Sequence, residues 1–115
     1  MSQEELAEVA VALASEYPGG DKAGTAQDFQ RVVEAALPSL TDRASLAIDR
    51  GIEDVTEVWQ VIRQDSEGLF AEALGKVDRV KIIFVASKFI NNKLIGEMIT
   101  QQALEIARHG RENLR

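Results

Sequence analysis

Residues 77–109 read VDRVKIIFVASKFINNKLIGEMITQQALEIARH, and the fold turns on how their centre, Ile82-Ile83-Phe84-Val85-Ala86, is read. An apolar, β-branched run of this length is ambiguous on its own, because a buried strand and a buried helix both produce it. The flanks decide for helix. No Gly or Pro bounds the run at either end, and helical spacing abuts it on both sides. Upstream stand Leu69, Phe70, Ala73, Leu74, Val77 and Val80; downstream Leu94, Ile95, Met98, Ile99, Gln102, Ala103 and Ile106 form a wide amphipathic face. Gly110 is expected to close this stretch, the longest element of the chain, and Asn91-Asn92 is where it would divide.

The rest of the chain carries the same period. Ser2 and Glu5 have the spacing of a capping box, and Leu6, Val9, Ala10, Leu13 and Tyr17 follow at helical intervals until Pro18-Gly19-Gly20. Thr25 and Asp28 repeat the capping signal ahead of Phe29, Val32, Val33, Ala36 and Leu37, with Pro38 expected to stop that helix. Thr41-Asp42 would start a third segment carrying Leu46, Ala47 and Ile48, and Ile52, Val55, Trp59 and Ile62 mark a fourth. These two join if a helix crosses Gly51, since an internal glycine costs only about 1 kcal/mol. The expectation is an all-α fold, a compact bundle of five or six helices with a long C-terminal helix, in a single domain over residues 1–115.

Composition narrows the class of function. The 115 residues are 45% hydrophobic and 28% charged, hold no Cys, and carry a net charge of −6. That is too apolar for a disordered chain and too short for several domains. No apolar run reaches the roughly 18 residues that a membrane helix needs, and the acidic opening is unlike a signal peptide. A cytoplasmic setting fits, and small bacterial helical proteins of this size include immunity proteins, adaptors and small complex subunits. That is an analogy of size and class only, and no motif carries a family resemblance.

Charge is unevenly placed. Residues 1–75 hold five Lys or Arg against fifteen Asp or Glu, and residues 76–115 hold eight against four. The plain reading is a basic C-terminal stretch packed among acidic helices, its last-turn arginines complementing the helix dipole. The sharper reading places Lys76, Lys81, Lys88, Arg108 and Arg111, with Arg115, against phosphate, as in a nucleic-acid-binding subunit. An acidic chain argues for the plain one.

Patterns for chemistry fail in turn. His109 is the one histidine, so a Ser-His-Asp arrangement has little to stand on, and Glu105 with His109 could share a metal only across a dimer axis. Glu5 and Glu8 resemble half of the carboxylate set of all-α nucleotide pyrophosphohydrolases, but the chain has no Glu-x-x-Asp for the other half. Gly68 and Gly75-Lys76 are too far apart for a phosphate loop and lack the Ser or Thr that should follow. Asp21 to Asp28 has Val32 where a calcium loop needs its last Glu. No catalytic residue, metal site or cofactor is expected.

An interaction module remains. Asp49, Glu53 and Glu57 form an i, i+4, i+8 acidic row on one helix, ordinarily a solvated face, which could instead dock a basic partner, and Trp59 on the same helix would anchor that partner if it is exposed. Core anchor is the default for Trp59. Ile83, Phe84, Ile90, Ile95 and Met98 are the candidates for self-association as a homodimer, because a helix apolar on most sides is either central in its bundle or in a subunit interface, and small cores are marginal. Asn91 and Asn92, next to that run, are candidates for buried hydrogen bonds that fix a register.

Overall fold

A computed structural model describes residues 3–66 and 68–113, which form five α-helices and one 3₁₀ helix with no strand. They are α1 (Gln3–Glu16), α2 (Lys22–Asp49), α3 (Val55–Gln64), the 3₁₀ helix Leu69–Ala73, α4 (Arg79–Asn91) and α5 (Lys93–Asn113). The all-α bundle with a long C-terminal helix is therefore the fold. Ser2 of the expected Ser2–Glu5 capping box lies outside the described residues.

The backbone of the bundle is α2, which packs on α1, α3, α4, α5 and the 3₁₀ helix. Its 28 residues correspond to about 42 Å at 1.5 Å each, close to the 45 Å long axis of the molecule. Pro38 does not end it. A mid-helix proline removes one backbone bond and commonly costs about 3 kcal/mol, but Pro38 sits on the solvent face. On the opposite face Phe29, Val32, Val33, Ala36, Leu37, Leu40, Ala44 and Ala47 are buried. Each large member of such a face gains about 1.5–3 kcal/mol from burial, so the sum outweighs the local break. The expected third segment is thus the second half of α2, and Leu46 points out of the core. The helix starts at Lys22, where the Asp21 carboxylate accepts from Ala23 N and Gly24 N, and not at Thr25.

The chain turns at Gly51, in the left-handed region at φ 84°, and no helix crosses it. Asp54 then caps α3 by accepting from Thr56 N and Glu57 N. The 3₁₀ helix lies between Gly68 (φ 85°) and Gly75 (φ 87°), and a bridge pairs Leu74 with Val77. The stretch 77–109 divides where the asparagines stand: α4 stops at Asn91 and Asn92 caps α5, its Oδ1 accepting from Ile95 N at 3.1 Å. Asn91 is exposed and bonds Ser87, so neither asparagine fixes a register inside the core. This division leaves α2 as the longest helix, and α5 runs through Gly110 to Asn113.

Ile82, Val85 and Phe89 turn the apolar run inward. Phe84 joins Tyr17 and Phe29, its ring 5.0 Å from the first and 5.5 Å from the second, which ties α4 to the end of α1 and to α2. Near four helix C-termini, side chains from outside the helix donate to main-chain carbonyls. Lys22 Nζ donates to Ala14 O (3.0 Å) at the end of α1. Arg111 donates to Ser45 O (2.8 Å) near the end of α2. The Ser66 hydroxyl reaches Arg63 O of α3 (3.0 Å), and Trp59 Nε1 reaches Phe89 O of α4 (2.9 Å).

Candidate functional site

The residues expected to meet a basic partner do not lie on one helix. Asp49 ends α2, Glu53 lies in the connection after Gly51, and Glu57 belongs to α3. Their row needed one continuous helix, and the turn at Gly51 removes it. Asp49 accepts from Arg111, and the backbone carbonyl of Glu53 accepts from Arg108 at 2.7 Å. Trp59 is 3% exposed and is a core residue. Its indole donates to Phe89 O, and the Arg63 guanidinium lies 4.7 Å above its ring.

The basic residues are tied to the acidic part of the chain. Lys81 pairs with Asp28 at 2.5 Å and Lys88 with Glu16 at 3.2 Å. Lys88 also lies over the Phe84 ring. Arg108 and Arg111 hold the connection after α2 and the end of that helix, as above. The Asp28 hydrogen bond raises the pKa of Lys81 above its ordinary 10.5 against the opposing effect of burial, and the charges of Asp28, Asp78 and Tyr17 act with it. Of the five residues proposed for phosphate, Lys76 and Arg108 are exposed, the first in a turn and the second near the end of α5, and Lys81, Lys88 and Arg111 are half-buried. Arg115 lies outside the described residues. A polar cleft of about 510 Å³ opens beside Lys81 and the start of α2, lined also by Tyr17, Asp21, Thr25 and Asp28. The carboxylate of Asp28 offsets the Lys81 charge, and Asp21 is engaged as the α2 cap, so the cleft presents no net positive charge to an anion.

The self-association candidates divide. Ile95 is buried in the core, and Phe84, Ile90 and Met98 are half-buried and packed against it. Ile83 is 57% exposed. It stands on the wall of an apolar groove between the 3₁₀ helix and α4, about 410 Å³ in volume. Phe70 and Ile82 form its buried floor; Ala71 and Leu74 stand on one side, Ile83 and Ala86 on the other, and Arg79 at the rim. Leu74 is 57% exposed, and Val80, next to Ile83 on α4, is 67% exposed.

Leu74 and Val80 carry this surface, and the periodicity hides them. Both stand in the apolar series that leads into Ile82. The turn at Gly75 leaves Leu74 outside the core, and Val80, two residues before Ile82 in α4, falls on the opposite side of that helix. Gly75 was the available signal for Leu74.

Among the described residues, no group of three or more His, Cys, Asp or Glu side chains comes together, and no helix is long and apolar enough to cross a membrane. Glu105 accepts from Gln101 at 3.1 Å, and His109 is exposed near the end of α5. Comparison with protein-family models, with curated proteins and with solved structures found no match to this chain, so the site rests on its own geometry.

Proposed function

We propose that this chain is a non-enzymatic protein-interaction module that docks through the groove between the 3₁₀ helix and α4. The observation that carries the reading is that Leu74 and Ile83, each more than half exposed, line one apolar groove, with the exposed Val80 one turn before Ile83 on α4. Single exposed apolar residues are ordinary, whereas a contiguous group beside a recess is the usual mark of a contact surface. A groove floored by Phe70 and Ile82 accepts aliphatic side chains, and Arg79 at its rim supplies a directional polar contact.

The nucleic-acid alternative has less support. Lys81, Lys88, Arg108 and Arg111 all hold partners within the chain, and opening those contacts would oppose phosphate binding. A basic-faced partner remains compatible with the net charge of −6, although the acidic row that would have received it is not formed.

The test is affinity capture from cells that produce the chain, with nuclease present, comparing the natural sequence with Ile83→Glu. The reading expects capture of protein that resists nuclease and is lost in the variant. Capture that vanishes with nuclease, or that Ile83→Glu leaves unchanged, would overturn it.

A further inference from the structure

We infer that the occupant of the groove is a second copy of this chain, the two copies meeting across a twofold axis at α4; this rests on the interaction reading above. A twofold contact uses the same patch on both partners, so the patch must carry both a projection and a recess. This corner carries both. Val80 and Ile83, three apart on one helix face, form a ridge, and the recess floored by Phe70 and Ile82 lies beside it.

Charge selects the same partner. At −6 per chain, two copies repel over most of their surfaces. Residues 72–79 are an exception: Glu72 and Asp78 balance Lys76 and Arg79, and all four are exposed. The two further lysines of α4, Lys81 and Lys88, are offset by Asp28 and Glu16. Two copies can therefore approach here without the like-charge penalty they meet elsewhere, and a stretch that carries both signs can be self-complementary across the axis. A neutral, apolar face is a poor match for a strongly basic or strongly acidic partner and a good one for itself.

Sedimentation equilibrium of the full chain, over a wide range of concentration and at low and high sodium chloride, tests this. The expected result is a monomer–dimer equilibrium that tightens with salt, as the remaining repulsion between the copies is screened. Ile83→Glu and Val80→Glu each raise the dissociation constant about tenfold or more, as expected for a central contact residue. Val11→Glu, equally exposed but on α1, leaves it unchanged. Both ridge positions are exposed, so the variants keep their helical circular dichroism. A chain that stays monomeric at every concentration overturns the inference, and so does a dimer that Val11→Glu disrupts and the ridge variants do not. A monomer that still captures another protein in an Ile83-dependent way removes the second copy and leaves the interaction reading standing. Loss of both removes both.

Discussion

The indole of Trp59 rests on the bare Cα of Gly96: a Cβ placed there would stand 2.1 Å from Nε1 and 2.8 Å from the carbonyl oxygen of Phe89 that Nε1 donates to. Three helices meet at this point, α3 through Trp59, α4 through Phe89 and α5 through Gly96. Glycine within a helix is ordinarily a weakness of about 1 kcal/mol relative to alanine. Here the missing methyl is what allows α5 to approach the tryptophan.

Gly96→Ala is therefore expected to destabilise the fold despite its better helix propensity. Neither neighbour can yield cheaply, since one is a buried ring and the other is backbone. Overpacking of this kind costs about 1–3 kcal/mol, more than propensity returns. Urea unfolding followed by circular dichroism reads the effect, and a midpoint equal to or above that of the natural chain would contradict it.

Trp59→Phe tests the other half of the contact. Phe89 O is one of the last carbonyls of α4, with no partner inside the helix, and the indole N–H serves it in the core. Phenylalanine retains most of the apolar surface and removes the donor. An unsatisfied buried acceptor costs about 1–3 kcal/mol. Trp59→Phe combined with Gly96→Ala should cost less than the sum of the two, because the smaller ring relieves the clash; a double-mutant cycle from unfolding midpoints measures this coupling.

These contacts explain which parts of the fold the sequence reveals. The inward faces of α1 and of the first half of α2 are legible because every contact signal is local: Leu6, Val9 and Leu13, then Phe29, Val32 and Val33, recur at the helical period and are buried. Pro38 misleads because its local cost is outweighed by burial further along α2, which local spacing does not reveal. Gly51 and Gly75 look optional in the sequence and are left-handed turns, so the acidic row on one side and Leu74 on the other are both misplaced. The helix-end caps are illegible for a different reason. Trp59 serves a carbonyl 30 residues away and Arg111 one 66 residues away, and no periodicity links such pairs.

Asn92→Ala tests the division of the C-terminal stretch. The side chain caps α5 through Ile95 N, and removing a cap of this type costs about 0.5–2 kcal/mol. Asn92→Ser retains an acceptor for the cap without placing a second carboxylate beside Glu16, to which the Asn92 amide donates, and should cost little, whereas Asn92→Gly should lose only a few tenths of a kcal/mol relative to the natural chain. Thermal unfolding of the three variants gives the ranking, and equal loss in the alanine and serine variants would show that the cap is not what stabilises α5.

Lys81 and Asp28 give the fold an alkaline limit. The pKa of Lys81 is raised in the folded chain, chiefly by the hydrogen bond to Asp28. A raised pKa on a base means that folding favours the charged form. The contribution is fully present below the ordinary lysine value of 10.5 and is lost as pH rises through the higher folded value. Lys81→Met should cost at most about 1 kcal/mol at neutral pH, since the pair is partly solvated, and should flatten the fall in stability above pH 10.5. Unfolding midpoints across the alkaline range, compared between the two chains, check the sign.

Arg111 decides between the structural and the phosphate-binding reading of the basic C-terminal stretch. Its guanidinium donates to Ser45 O, to Ser45 Oγ at 2.9 Å and to the Asp49 carboxylate. α2 has no basic residue in its own last turn, so Arg111 supplies from α5 the cation that a helix C-terminus favours. Arg111→Met should then lower stability by about 1 kcal/mol and leave nucleic-acid affinity unchanged from a baseline of none at low salt. Fluorescence anisotropy of labelled RNA and DNA, run beside urea unfolding, separates the two roles. Binding with a steep negative salt dependence that the variant abolishes, at unchanged stability, would assign Arg111 to phosphate after all.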